Sequence, residues 1–334
     1  MDASYKIQRG IHVHLIQFFM CPEFWVHITE GLRFLSQRGR GSIAERNAKL
    51  ILMVGVLGVS ASAILVRFSQ APSGVTAAYR LGWTVLLLLP VVLLRCRAEL
   101  RRVTARDLVL CGASGVLLAL HFLTWFESLK RTSVASSTVL VSTEVIFTAL
   151  GFALFLHGKI PRLGVWAILL AFGGSALLAL SGGGGAGELS GNLLALAAAS
   201  AAAVYTLIGR IQRGHLSTTV YTFLTYLACF LTLLLGTAAA GTPLTGYGGR
   251  EWLIGLALAV LCTLLEHSLF SWCLKYLSPS YVSAAKLCEP VFSSLAAIPL
   301  FGEVPGPLQL AGGAAVLGAV LLYTWAEREK TPAG

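Results

Sequence analysis

The sequence predicts an all-α polytopic membrane protein whose ten transmembrane helices form two inverted five-helix repeats. Composition is the first observation behind this: 56% of the 334 residues are apolar, only 12% are charged and the mean hydropathy is +0.77, against about 25% charged in ordinary soluble domains. Run length is the second. A helix needs about 20 apolar residues to cross the hydrocarbon core, and ten such runs can be drawn: 48–67, 75–94, 107–126, 134–156, 163–181, 191–208, 218–238, 252–272, 280–301 and 307–326. Self-similarity is the third. Displacing the chain by 145 positions lays Leu129-Lys130 on Leu274-Lys275, Ser133 on Ser278, Glu144 on Glu289, Phe147 on Phe292, Leu150 on Leu295 and Gly173 on Gly318. Two glutamates that coincide inside apolar runs are the telling match, and a unit used twice is the expectation.

The runs set the domain organisation. Residues 1–46 hold no span: His12, His14, His27, Glu23 and Glu30 interrupt short apolar pieces, and no secretory signal can be assembled from them. An interfacial or poorly ordered extension is expected, with 28–35 able to lie on the membrane surface. The first repeat covers 47–181. Its first span carries Gly55, Gly58, Ser60 and Ser62, small residues that let helices approach closely. The second carries Arg80 between Tyr79 and Trp83 and ends at Pro90, and the third starts at Asp107 and holds His121 and Trp125. At 182–190 lies a Gly-rich linker that formally contains GxGxxG. It follows a membrane span where the dinucleotide fingerprint needs a strand, so it reads as a flexible connection. The second repeat covers 191–327 and a cytoplasmic tail 328–334.

The net charge of +10 does not point to nucleic acid, because the basic residues sit in the short gaps between spans and report orientation. With the N-terminus in the cytoplasm, Arg95, Arg97, Arg101, Arg102, Arg106, Lys159, Arg162, Arg210, Arg213, Lys275, Arg328 and Lys330 fall inside. Only Arg67, Lys130, Arg131 and Arg250 fall outside. Both termini are therefore expected in the cytoplasm, with the chain in the plasma (inner) membrane. Five spans per half is odd, so the second repeat crosses in the opposite sense. The seven cysteines show neither paired spacing nor CxxC, so neither a disulfide framework nor a metal site is expected. No cofactor is expected either.

Ionisable residues inside spans are costly, about 2.5–3.5 kcal/mol on insertion scales, and mark functional sites by default. Arg80, Glu144, Lys286 and Glu289 are expected to approach one water-accessible cavity, Arg80 having the alternative of pairing with a glutamate to hold helices together. Lys286 and Glu289 are three apart, which on a helix puts them on one face where they neutralise each other. Pro290 interrupts that helix, and charged, Pro-interrupted spans point to midplane sites in inverted-repeat carriers. His121 falls on Glu266 in the repeat, with a packing reading and a functional reading evenly matched. Tyr79, Trp83, Trp125, Tyr205 and Tyr226 are candidate cavity walls, and His267 stands next to Glu266. For proton coupling the candidates are Glu289, Glu144 and Glu266. A carboxyl withdrawn from water holds its proton more tightly and a neighbouring cation loosens it, so the balance decides between proton carrier and substrate grip.

Ala77-Ala78-Tyr79-Arg80 after a Pro-containing turn, Leu287-Cys288-Glu289-Pro290-Val291, Phe301-Gly302-Glu303, Gly312-Gly313 and Gly318 together resemble the ten-helix, EamA-type branch of the drug/metabolite transporter superfamily, over residues 48–326. That resemblance implies two inverted five-helix bundles around a cavity and the movement of small metabolites, commonly amino acids or related compounds and often outward. Where the family often has Gly-Glu after the fourth span, this chain has Gly158-Lys159, and Glu303 reads as a helix-start residue complementing the dipole. The expectation is a secondary exporter of an amino acid or similar small polar metabolite, partnered by the bilayer and by protons if coupled. Nucleotide sugars and organic cations are the alternative substrates. From another class, Gly112-Ala113-Ser114-Gly115 resembles the nucleophile motif of rhomboid-type intramembrane proteases, with His267 as base. Nothing else of that layout is present, and HExxH, GxSxG and P-loop motifs are absent from the sequence.

Overall fold

The computed structural model describes residues 41–155, 160–181, 186–212, 216–266, 269, 273 and 285–328, and these residues hold no strand. Apolar runs without water to satisfy their backbone must close their own hydrogen bonds, which only helices do segment by segment. The helices are α1 (Gly41–Phe68), α2 (Ser73–Arg95), α3 (Ala105–Arg131), α4 (Val134–Val141), α5 (Glu144–Phe155), α6 (Arg162–Ser181), α7 (Ala186–Gln212), α8 (Thr218–Ala239), α9 (Gly249–Ala259), α10 (Glu289–Phe301) and α11 (Pro307–Arg328), with one short turn of helix at Arg97–Leu100. Local chemistry sets several ends. Thr104 and Asp107 form a capping box at the start of α3, Ser133 and Ser217 accept from the N–H groups of Ser136 and Val220, and α10 ends on Gly302 with φ +69°. That left-handed φ suits glycine.

Seven helical stretches among the described residues are long and apolar enough to cross a membrane, α4 and α5 counting together as one. α6 and α10 are apolar but shorter, and α9 runs through a π-helical turn at Val260–Leu265 toward residues outside the described set. The chain is an all-helical, multi-pass membrane protein. α1 begins at Gly41 and α7 at Ala186, so helix extends over 41–46 of the expected extension and 186–190 of the expected linker. A helix keeps its own hydrogen bonds beyond the apolar slab, and hydropathy alone does not mark where it stops. The expectations for 1–40, 28–35 and the remaining linker lie outside the described residues.

α3 packs on α7 and α8, α2 on α8 and α9, α4 and α5 on α7, α10 on α1 and α4, and α6 on α11. Glycine sets the closest approaches. A Cβ on Gly115 of α3 would stand 2.5 Å from Ala228 Cβ and 2.7 Å from the Thr225 carbonyl of α8, and one on Gly174 of α6 would meet the Gly312 carbonyl of α11 at 2.9 Å. Large apolar side chains such as Leu94, Leu154, Leu180 and Leu235 stand exposed on the outer faces, as lipid-facing surfaces require.

At one end the helix termini are stitched together. Arg67 at the end of α1 donates through Nη2 to Glu303 Oε1 at 2.8 Å, and Glu303 Oε2 accepts from the Val134 N–H at 2.7 Å. Ser69 Oγ and the Gln70 N–H donate to Glu251, at 2.6 and 3.1 Å, and Ser73 Oγ donates to Glu127 at 2.9 Å. Thr132 reaches Asn192, and Gln309 reaches Ser133 and Ser136. Glu303 thus sits at the start of α4, a helix of the other half. Its helix-start position is at α4 and not at its own following helix: three residues separate it from Pro307, while the α4 amide lies within reach.

Candidate functional site

The fourth and ninth apolar runs are each broken at the matching place. α4 stops at Val141, Ser142 and Thr143 form a turn, and α5 restarts at Glu144. Lys286 ends a helical stretch, Leu287 and Cys288 form a turn, and α10 restarts at Glu289. The hydrogen bonds correspond through the 145-residue offset: Thr143 N to Leu140 O and Cys288 N to Ala285 O, then Phe147 N to Thr143 O and Phe292 N to Cys288 O. Pro290, at the first turn of α10, provides no donor where a helix start does not need one. The first break contains no proline. There the Ser142 and Thr143 hydroxyls donate to the Thr138 and Leu140 carbonyls, at 2.9 and 2.6 Å, satisfying acceptors around the interruption.

Each restart places a glutamate at a helix N-terminus, where the peptide dipoles favour negative charge. Glu144 Oε1 accepts from Thr206 Oγ1 of α7 at 2.8 Å. Glu289 feels the charges of Glu266, Lys286, Arg80 and Glu144, and Glu144 those of Lys286 and Glu266. The structure therefore brings these five groups into one neighbourhood. All three glutamates keep only part of their surface exposed and lie among packed helices. No hydrogen bond reaches the Glu289 carboxylate from a described residue.

Lys286 faces Glu266, its Nζ 3.5 Å from Oε1, with the lysine side chain 48% and the glutamate 13% exposed. The expected three-residue helical pairing of Lys286 with Glu289 is corrected by the break between them: i,i+3 neighbours share a face only along a continuous helix. Arg80 takes its alternative role in part. Its Nε donates to Thr263 Oγ1 at 3.0 Å, Nη1 to Ser62 Oγ at 3.1 Å and Nη2 to the Cys262 carbonyl at 2.9 Å, and its guanidinium lies 4.5 Å from the Phe122 ring centre. It holds helices together through neutral partners, not through a glutamate. Thr263 and Cys262 belong to the π-turn, and such bulges recur at functional positions.

The aromatic candidates divide. Tyr226 of α8 is buried beside Glu266 and Arg80. His121 Nδ1 contacts the Ala198 carbonyl at 3.0 Å and its ring stacks on Trp125 at 5.8 Å, and the buried Trp125 Nε1 has no described hydrogen-bond partner. Tyr205 is half-buried one residue before Thr206. Tyr79 and Trp83 turn away, both against Trp252: Tyr79 stacks on it at 4.1 Å and donates to the Leu244 carbonyl, and Trp83 Nε1 donates to the Trp252 carbonyl at 3.2 Å. His267 lies outside the described residues. Ser114, the nucleophile of the protease reading, is fully buried 2.7 Å from Tyr221 Oη, and its Gly115 is a helix-packing glycine. Sequence reasoning missed Thr206, Thr263, Ser62 and the Ser142-Thr143 break. Only the break had a signal, since those two residues precede Glu144 as Leu287-Cys288 precede Glu289.

These features define a multi-pass membrane protein with charged groups gathered at broken helices. The chain belongs to the EamA-like transporter family, whose model matches twice, over residues 47–180 and 189–325. Among curated proteins it is similar to the pseudopaline exporter CntI of Pseudomonas aeruginosa, in strains UCBPP-PA14 and PAO1. Identity is 24% over 207 residues, covering 62% of this chain and 72% of each relative. A solved structure described only as a crystal structure of a protein shares the fold, with a TM-score of 0.54 and 18% identity over 84% of this chain and 98% of its own.

Proposed function

We propose that the protein is a secondary exporter that moves a small polar metabolite, an amino acid or a compound like one, by alternating access. The observation that carries this reading is the matched pair of broken helices, each restarting on a glutamate, with the Lys286–Glu266 pair beside them. Carriers use half-helix ends to hold charged groups of substrates and coupling ions near the midplane, and a site with both signs suits a zwitterion. Membership of the transporter family and a relative that exports pseudopaline support the outward direction. Glu289, lacking a described donor, is the first candidate to carry a coupling proton, ahead of Glu144 and Glu266.

Ten crossings in two inverted repeats fit the packing. Exchanging each helix for its repeat partner turns the contact of α3 with α8 into that of α9 with α2, and the contact of α4 and α5 with α7 into that of α10 with α1. The stitched end gathers the ends of α1 and α3 and the starts of α2, α4, α7 and α9, together with the loop after α10. Alternating directions through the chain produce that set. The basic-residue distribution supports both termini in the cytoplasm, and the plasma (inner) membrane is the proposed location.

The test is a metabolite screen on proteoliposomes holding the purified protein. Accumulation of a small zwitterion across the membrane is expected, faster with an imposed pH gradient. If no small polar solute accumulates under any gradient, the reading falls.

A further inference from the structure

Residues 95–107, which join α2 to α3, carry five arginines, Arg95, Arg97, Arg101, Arg102 and Arg106, against two acids. Both acids are committed to donors of the protein itself. Glu99 Oε1 accepts from the Ser217 N–H, at the start of α8, at 2.6 Å. The buried Asp107 accepts from Thr104 within the capping box and from Gln212 Nε2 at 3.2 Å. Arg97, Arg101, Arg102 and Arg106 stand exposed.

The connection is folded onto the bundle. The Leu100 N–H donates to the Cys96 carbonyl at 2.8 Å and the Arg101 N–H to that of Arg97 at 3.2 Å, which brings residues four apart onto one face. Cys96 and Leu100 share a face that packs against the main apolar core, and Val103 packs on the cluster of Cys111, Leu216 and Tyr221. Arg97 and Arg101 share the outward face. With Glu99 tied to α8, the arginines are presented from a fixed turn. The adjoining turns of both long helices are apolar: Leu93 and Leu94 of α2 are 50% and 82% exposed, and Leu108 and Val109 of α3 are 53% and 70% exposed.

We propose that this connection is a binding site for anionic phospholipid. Along both helices the order is apolar surface and then guanidinium groups, which matches acyl chain and then phosphate in the lipid. Guanidinium forks pair with phosphate oxygens two at a time, and basic clusters next to spans attract anionic headgroups. A zwitterionic headgroup has the same phosphate but cancels its charge, and a free phosphate has nothing to lay on the leucines. Because Glu99 bonds across to Ser217, bound lipid braces the end of α2 and the starts of α3 and α8 together. The arginines that orient the chain thus also select the lipid beside it.

Native mass spectrometry of the purified full-length protein, titrated with phosphatidylglycerol or phosphatidylcholine of equal chain length, tests this. It needs neither flux nor sidedness, so its outcome is separate from that of the export reading. Phosphatidylglycerol is expected to bind about tenfold or more tightly than phosphatidylcholine. Arg97→Gln, Arg101→Gln and Arg102→Gln together weaken it about 100-fold, at about fivefold for each basic residue. Arg101→Gln alone, with about a fivefold effect, stands in should the triple variant fail to fold. An equal loss of charge at exposed arginines elsewhere, Arg162→Gln, Arg210→Gln and Arg250→Gln, leaves the affinity unchanged. Equal affinity for the two lipids, equal weakening by that control, or no weakening by the first set overturns the proposal. So does displacement of bound phosphatidylglycerol by millimolar inorganic phosphate at constant ionic strength, the mark of a site for the free anion.

Discussion

Arg80 demonstrates how a cation is kept inside a span without an anion bonded to it. Three neutral oxygens take its donors and an aromatic face covers the guanidinium, so its charge is solvated by partners on α1, α3 and the π-turn after α9. Replacing it with lysine keeps the charge and abandons at least two of the three acceptors. The expected loss is about 1–3 kcal/mol per abandoned buried partner, read as a lower thermal-unfolding midpoint in detergent; an unchanged midpoint would mean that the fork does not hold the helices. Glu289 poses the complementary case of a carboxylate with charged neighbours but no described donor. Glu289→Gln is expected to fold and to lose the response of flux to a pH gradient, while Glu144→Gln, which removes the charge and keeps an acceptor for Thr206, retains part of it. Full pH response in the Glu289 variant would move the proton elsewhere. At this scale the sequence exposed every charged member of the cluster, because charge in an apolar run is conspicuous. It could not expose Thr206, Thr263 or Ser62, since hydroxyls are scattered through all the spans and only their partners distinguish them.

Among the helices, two glycines three residues apart have opposite meanings. A Cβ on Gly112 meets nothing within 4 Å, whereas one on Gly115 falls 2.5 Å from Ala228 Cβ and 2.8 Å from the Cys229 nitrogen, inside the backbone of α8. Gly115→Ala should therefore push α3 and α8 apart and cost about 1–3 kcal/mol, the range for overpacking, while Gly112→Ala is neutral or gains up to about 1 kcal/mol in helix propensity. Thermal unfolding of the two variants side by side checks this, and equal midpoints would refute the close approach. The same contrast explains what was readable. Hydropathy located the helices because burial in lipid demands long apolar runs. It did not locate the interruption before Glu144, because Ser142 and Thr143 break the helix through their hydroxyls without a proline to mark the place. Nor did it foresee that the break beside Pro290 would set Lys286 against Glu266, 3.5 Å away.

For the molecule as a whole, the number of crossings decides on which side each end lies, and parity makes it measurable. Seven helical stretches are long enough to span unaided. If α6, α9 with its continuation, and the broken run ending in α10 also cross, the total is ten and both termini share a side; if one of them does not, the termini are opposed. Ten is the count proposed above. The end of α1 meets the start of α4 through Glu303, the end of α3 meets the start of α7 through Thr132 and Asn192, and the start of α2 meets the end of α8, where Gly74 lies against Thr237. Arg67, Lys130, Arg131 and Arg250, the four basic residues assigned to the outside, all lie in these same stitches or next to them. The neighbouring carboxylates Glu303, Glu127 and Glu251 explain why this exception to the basic-inside pattern is tolerated, as local pairing offsets the charge. Reporter fusions are expected to follow: alkaline phosphatase inserted in the loop around Gly241–Gly248 is active and a green fluorescent protein there is dark, whereas after residue 328 the fluorescent protein is bright and the phosphatase inactive. Phosphatase activity at both places would mean an even number of crossings between that loop and the tail, where the inverted repeat requires three.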